Sequence, residues 1–467
     1  MNYTEDYRVT NINTRPPDVR MHGFTRRHTV QAALAWLDAQ LGTLEAERVP
    51  LRSVAGRVLA HAVVSDIDVP GFDRSTMDGY AVVADSTEGA TPYNRVTLTV
   101  IGDALPGSPF VRTLARGEAV RIMTGAPLPD GSDAVLPAES VEIDPGRGGS
   151  DVRRGGSSTS AEATADRRSL GEGWSDPPDS AAPSQVAAIS TVSPGKNVGR
   201  RGEDIGSGTT VLDAGRVLRP QDLGVMSSIG VAEAGVVRRP RVRLVITGNE
   251  LLPSGTPPHD FLITDANGPM LAALAERDGA IVDFPGLVPD ESDAILDALH
   301  ASADIIIVSG GSSVGIEDLA PMLVATHGEL AVHGIAMRPS SPTGMGRLGP
   351  RLVFLLPGNP VSALCAYDFF AGRAIRALGG RPKEWPYRSV RGTLARKISS
   401  LIGRLDYARV KFEDPSTTLG AGGRVEPLSV SGASVLSSTT RADGFVIVGD
   451  DSEGFAAGSE VDVFLYA

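Results

Sequence analysis

The sequence holds a single cysteine in 467 residues. No disulfide can form within the chain, and a cysteine-rich metal site is excluded. Cys365 lies in the apolar run VSALCAYDFF, where a lone thiol reads as a core residue. Histidines are scarce at 7 and show no zinc-ligand spacing; His333 reads as a packing or surface residue. No stretch of 18 apolar residues occurs, so no transmembrane helix and no membrane partner are expected. The N-terminus MNYTEDYRVT has early acids and no apolar signal segment, so a cytoplasmic location is expected. An excess of positive charge is missing too. The formal net charge of -12 argues against non-specific nucleic-acid binding, although local cations can still hold a small anion. Aromatic residues make up only 5%, so the cores must be mostly aliphatic.

What is present is enough apolar residue, 41%, and enough length for about three or four domains. The expected class is multi-domain α/β. Residues 27–65 and 211–238 read as a small helical or linker domain. Within it, TVQAALAWLDAQL has helical periodicity behind Thr29 as a cap, and VPLRSVAGRVLAHAVVS reads as a second helix passing into a strand. RPQDLGVMSSIG reads as a short helix ending at Gly230. Residues 66–210 carry short β-like runs punctuated by Gly, Pro and Asp, a β-rich domain. Inside it, 145–196 is rich in Ser, Gly, Asp and Arg and poor in large aliphatics, and reads as a disordered insertion.

Residues 239–380 alternate between strand-like and helix-like runs: RVRLVIT, NGPMLAALAERDG, AIVDFPGLV, ESDAILDALHASA, DIIIVSGG, GIEDLAPMLVATHG, RLVFLLPG and NPVSALCAYDFFAGRAIRAL. That order predicts a central parallel sheet with helices on both faces. Residues 381–467, with GFVIVG and EVDVFLY, read as a C-terminal β-barrel-like domain.

Ligands of open α/β sheets bind at the carboxyl ends of the strands. Three turns there are suggestive. Gly310, Gly311, Ser312, Ser313 and Gly315 follow DIIIVS; Pro357, Gly358, Asn359, Pro360 and Ser362 follow RLVFLL; Glu250 follows RVRLVIT in TGNE. Glycines let backbone approach a phosphate, and helix N-termini offer free N–H groups. Each turn alone needs Gly and Asn for its geometry; three at one end of one sheet point to a ligand. There is no P-loop lysine and no GxGxxG, so a standard nucleotide fold is not expected. Asp73, Asp78, Glu203, Asp204, Glu250 and Asp318 all lie in Gly-rich turns. Carboxylates beside a phosphate site suit a hard cation such as Mg²⁺, whereas a lone Asp equally serves as a helix cap.

The motifs DVPGFDRSTMDGYAV, VRIMTGAPLPDGSDAVLPAE, GRRGEDIGSG, VITGNELLPSG, SGGSSVGIED and LLPGNPVSA together resemble the molybdopterin molybdenumtransferase family, which includes the gephyrin E domain. The resemblance covers nearly the whole chain outside 1–25 and 145–196. It implies an elongated homodimer of four-domain subunits with a site built from two chains. It implies hydrolysis of adenylylated molybdopterin, insertion of molybdate into the dithiolene and release of AMP, with Mg²⁺. A molybdopterin adenylyltransferase is the partner it suggests. By position, Asp78, Thr124, Asp204, Glu250, Asp318 and Arg338 match residues implicated in activity. Glu250, Asp290 and Asp318 match metal ligands. Gly310, Gly311, Ser312, Ser313 and Gly315 match the pterin-phosphate turn, and Pro357 to Ser362 the second rim turn.

One loop departs from the family. Where its text is close to KPGKP, this chain reads RPSSP. Arg338 stands for the first lysine, Ser341 for the second, and Gly334 for a basic residue upstream. Arg200, Arg201 and Arg347 are cations that could compensate. A catalytically weakened homologue acting as a molybdopterin-binding carrier or scaffold is therefore the alternative.

Overall fold

The computed structural model describes residues 27–143, 185–310, 319–414, 423–429 and 435–466. The chain divides into two compact units: Met1–His61, Asp213–Leu223 and Ala232–Ala467 in one, Ala62–Leu212 and Gly224–Val231 in the other.

In the first unit the helix Val30–Gln40 starts where its sequence says it should. Thr29 is extended, and its hydroxyl accepts from the Ala32 N–H at 3.1 Å. The second helix expected in VPLRSVAGRVLAHAVVS is absent. Ala46–Pro50 is instead a strand paired antiparallel to Glu233–Val237. Leu51–Ser53 forms a single 3₁₀ turn, and Val58 and Leu59 bridge to Val217 and Val236. The left-handed Gly56 (φ 73°) interrupts any helix, and strand pairing takes the apolar residues instead.

The central sheet runs Ile281–Asp283, Arg241–Thr247, Ile305–Ser309, Arg351–Leu356, Gly344–Leu348, Glu329–His333. The first four are parallel; the hairpin Glu329–His333 and Gly344–Leu348 is antiparallel. The sheet is therefore mixed rather than wholly parallel. The run AIVDFPGLV yields two short strands, Ile281–Asp283 and Leu287–Val288, both on Arg241–Thr247, because Pro285 cannot donate to the ladder. Alternate residues of the buried strands face opposite cores. Val242, Leu244, Ile246, Ile305 and Ile307 pack with Leu271, Val361 and Ile375. Val245, Ile306 and Val308 pack with Ile295, Leu299 and Val324 on the other side. Helices cover both faces.

The last helical run is Pro360–Ala366, a π turn at Tyr367–Ala371, then Gly372–Leu378. The π turn presents Asp368, fully buried, to the hydroxyls of Tyr387 (2.9 Å) and Tyr407 (3.5 Å), with Arg277 at 3.7 Å. Burial pushes the Asp368 carboxyl up to about 6. Beyond it, Leu405–Phe412, Gly423–Ser429, Ser389–Leu394, Glu460–Leu465 and Gly444–Val448 pair in that order. The last pairs back onto the first, closing a five-stranded barrel.

The second unit is built on a six-stranded sheet, Ala134–Pro137, Gly79–Val82, Glu118–Ile122, Val96–Ala104, Gln185–Ala188, Val141–Ile143. Its two faces bury Tyr80, Val82, Leu98 and Leu136 on one side and Ala81, Val120, Ile122 and Val135 on the other. The stretch 145–196 read as disordered is thus too long. Gln185–Ala188 pairs with Val96–Ala104 on one edge and Val141–Ile143 on the other. Residues 145–184 lie outside the described residues.

Candidate functional site

The parallel strands of the central sheet end level with one another. Ile246 stands opposite Ser309, and Ser309 opposite Leu356, so the residues that follow form one rim. Gly310 (φ 101°) lies so close to its neighbour that a Cβ there would sit 1.9 Å from the Thr247 carbonyl oxygen. A Cβ on Gly358 would lie 3.8 Å from Gly310 Cα, so these two glycines face each other closely. Asn359 holds the cap position of the helix Pro360–Ala366 without a side-chain cap bond, and Pro360 takes its first turn, where a missing N–H costs nothing. Ser362 is buried, and its carbonyl accepts from Ser340 Oγ at 2.5 Å. Gly311, Ser312, Ser313, Gly315 and Asp318 lie outside the described residues.

Carboxylates border the same rim. Thr247 Oγ1 donates to Asp290 Oδ1 at 3.0 Å. Glu250 is exposed and folds back over Gly248; a Cβ on that glycine would lie 2.7 Å from Glu250 Oε2. Among the described residues no group of three His, Cys, Asp or Glu converges as a metal cage. Glu250 and Asp290 have the oxygen donors that a hard cation takes, and suit Mg²⁺ in chemistry.

Two residues here were not singled out from sequence. Asp265 and Asn267 open the helix Asn267–Arg277 and are only 4% and 7% exposed. Asn267 Nδ2 donates to Ser309 Oγ at 2.9 Å and to the Gly358 carbonyl at 2.7 Å. Asp265 Oδ1 accepts from the Gly268 N–H at 2.9 Å. The signal was the string TDANG. An Asn at a helix start reads as a cap, but here Ala266 holds that position and Asn267 lies inside the first turn. Its amide is thereby released to reach across the rim.

The loop 334–343 joins the antiparallel hairpin at this same end, since Gly344 stands opposite Leu355. Its cation is not directed at open solvent. Met337–Arg338 pairs parallel with Leu405 and Asp406 of the barrel, and Arg338 Nη2 meets Asp406 Oδ2 at 2.6 Å. Asp406 is fully buried and also takes Arg404 Nε at 2.8 Å and Ser400 Oγ at 2.9 Å. Arg338, expected from its position in the loop to act in the reaction, is thus also held by a buried carboxylate. Gly334 has φ 85°, a backbone that disfavours any basic side chain. Ser341 Oγ is buried with no hydrogen-bond partner among the described residues. The compensating cations are engaged as well: Arg347 with Gln40 at 2.9 Å, Arg200 with Asp73 at 2.6 Å, Arg201 with Asp68 at 2.6 Å.

The remaining candidates belong to the second unit. Gly79 pairs with Ile122 on neighbouring antiparallel strands, so Asp78 and the residues after Ile122 emerge side by side. Asp78 Oδ1 accepts both the Thr124 N–H at 2.7 Å and the Thr124 hydroxyl at 2.8 Å. The backbone N–H first, then the hydroxyl, hold the Asp78 carboxyl below the usual range. Two residues named separately from sequence thus form one unit. Asp204 is exposed in the turn after Gly202, with its N–H on the Val69 carbonyl at 3.1 Å. Asp73 takes the Arg201 N–H and the Arg200 guanidinium, which lower its carboxyl.

Comparison with known proteins covers nearly the whole chain in three successive regions. Residues 28–230 match a family model described as MoeA N-terminal region (domain I and II). Residues 243–377 match a probable molybdopterin binding domain, and 391–466 the MoeA C-terminal region (domain IV). The chain is 34% identical to molybdopterin molybdenumtransferase 2 of Mycobacterium tuberculosis, over 89% of this chain and 94% of that one. It is 30% identical to molybdopterin molybdenumtransferase of Haemophilus influenzae, over 90% and 93%. The crystal structure of a molybdopterin biosynthesis MoeA protein from Pyrococcus horikosii aligns with a TM-score of 0.72 at 30% identity, over 94% of this chain and 99% of that one. With all three regions matched in order and likeness carried along nearly its full length, the chain belongs to the MoeA family of molybdopterin molybdenumtransferases.

Proposed function

We propose that this chain is a molybdopterin molybdenumtransferase: it takes adenylylated molybdopterin, hydrolyses the link to the nucleotide, inserts molybdate into the dithiolene and releases AMP. The observation that carries this reading is the rim, where Gly310 and Gly358 face one another at the ends of parallel strands beside the N-terminus of a buried helix. Such a place suits a phosphorylated ligand, because backbone N–H groups and the helix dipole meet its charge. Mg²⁺, held by Glu250 and Asp290 with Asp318, would offset charge on the phosphoryl oxygens. Asp78, Thr124 and Asp204 are assigned to the same reaction, and in this reading they complete the rim of a partner subunit in a homodimer. The test is direct. Purified protein is incubated with adenylylated molybdopterin and molybdate, with and without Mg²⁺. AMP release and cofactor formation support the assignment; intact ligand binding with neither product sinks it.

One observation favours a second reading, a carrier or scaffold with weakened catalysis. The rim loop offers Gly334 and Ser341 where the family has basic residues, and its Arg338 is paired with Asp406. Loss of a charge-assisted contact costs about 1–3 kcal/mol, so molybdate affinity decides between the two.

A further inference from the structure

We propose that Asn267 is a positioning residue for the organic substrate. Its side-chain amide fixes the spacing of the two strand ends, Ser309–Gly310 and Pro357–Gly358, that would flank the substrate's charged groups. The proposal rests on the assignment of that rim to molybdopterin made above. One NH₂ group reaches acceptors on two different strand ends, Ser309 Oγ at 2.9 Å and the Gly358 carbonyl at 2.7 Å. Ser309 is the last residue of its strand, directly before Gly310, and its hydroxyl lies 3.4 Å from the Pro357 carbonyl. A planar amide holds its two N–H vectors at a fixed angle, so the two acceptors cannot drift independently.

The anchor itself is clamped. Asp265 Oδ1 takes the Gly268 N–H, and a Cβ on Gly268 would lie 2.2 Å from Asp265 Oδ2 and 2.4 Å from Phe284 Cζ. The first turn of the helix therefore has one seating. Asn267 Oδ1 and Asp265 Oδ2 are both buried without a hydrogen-bond partner among the described residues. A buried acceptor left unmet is unfavourable. Asn267 thus sits where its oxygen gains nothing, and what the position uses is the two donors.

The experiment compares Asn267→Ala, Asn267→Asp, Ser309→Ala and the Asn267→Ala/Ser309→Ala double variant by steady-state kinetics. KM for adenylylated molybdopterin and KM for molybdate are measured separately, with the melting temperature. Asn267→Asp keeps the shape and removes the donors. Both Asn267 variants are expected to raise KM for adenylylated molybdopterin about tenfold or more, the loss from one or two hydrogen bonds, with KM for molybdate unchanged. Ser309→Ala is expected to have a smaller effect, and the double variant to fall clearly short of the sum of the two, because the Asn267–Ser309 contact is common to both. A wild-type-like Asn267→Asp, an equal rise in both KM values, or an additive double variant overturns the proposal. If the wild-type protein does not turn over, the functional assignment fails by itself. The variants are then compared by direct fluorescence titration with molybdopterin, where unchanged affinity in Asn267→Asp overturns the positioning role.

Discussion

Arg338 and Asp406 meet at 2.6 Å, the first one-third exposed at 33%, the second wholly buried. The pair joins the rim loop of the central sheet to the C-terminal barrel. Arg338→Ala leaves Asp406 with Arg404 and Ser400, so the expected loss is about 1–3 kcal/mol, the cost of a weakened buried hydrogen-bond set. Calorimetric melting and turnover are compared. A lower melting temperature with kcat nearly retained marks a structural cation. Loss of turnover at an unchanged melting temperature marks an oxyanion contact.

Asp78 and Thr124 act as a unit, so their substitutions should not add. Asp78→Ala is expected to lower kcat by about 100-fold, since it removes a charge and the two hydrogen bonds that seat Thr124. Thr124→Val should lower it less, and the pair no further than Asp78→Ala. Because its carboxyl is held below the usual range, Asp78 stays ionised as pH falls into the region where free carboxylates protonate. An acid limb of the rate profile near the ordinary carboxylate value, lost in Asp78→Asn, contradicts this. In a homodimer with shared sites, co-expressing Asp78→Ala with Gly310→Ala should restore activity in mixed dimers; absence of restoration in isolated mixed dimers argues against sharing.

Asp368 makes a pH prediction with a definite sign. Its folded carboxyl titrates near 6, above the unfolded value. The folded state therefore holds a proton that the unfolded chain has released, and stability falls as pH rises from about 4 to about 6, then levels. That difference corresponds to about 3 kcal/mol. Asp368→Asn should flatten this window and melt higher than wild type above pH 6. A parallel pH dependence in both proteins contradicts the assignment.

Val186 tests the strand that the sequence hid. It is buried in Gln185–Ala188, between Leu98 on one neighbour and Ile143 on the other. Val186→Asp places an unpaired charge in the core of the second unit, at a cost on the order of 3–5 kcal/mol. Proteolysis should then cleave that unit at protease concentrations the wild type withstands.

Much of this was legible in advance where local pattern and tertiary need agree. The apolar runs around Leu244, Ile307 and Phe354 are strands buried on both faces, and no other element suits them. Thr29 caps because its hydroxyl has a local partner. Failures came where a distant segment decides. Val49 and Val58 are strand-like only because residues 217 and 233–237 lie opposite. Gln185–Ala188 is four residues of weak preference that two neighbours make into a strand. At the rim, Asp78 and Thr124 were each visible by motif, but their contact depends on strand register. Asn267 was missed because a helix-start Asn has a common local use that it does not fill here. Arg338 was read by its place in a loop, while its partner lies 68 residues onward.

The strand Met337–Arg338 is only two residues long, yet it belongs to the barrel by pairing and to the rim by connectivity. It acts as a tether. Met337 and Arg338 pair with Leu405 and Asp406 of the barrel, and two residues on, Ser340 Oγ donates to the Ser362 carbonyl of the second turn. The barrel and the second turn of the rim are thereby joined through four consecutive residues, 337–340, so the C-terminal domain is part of what holds that turn in place.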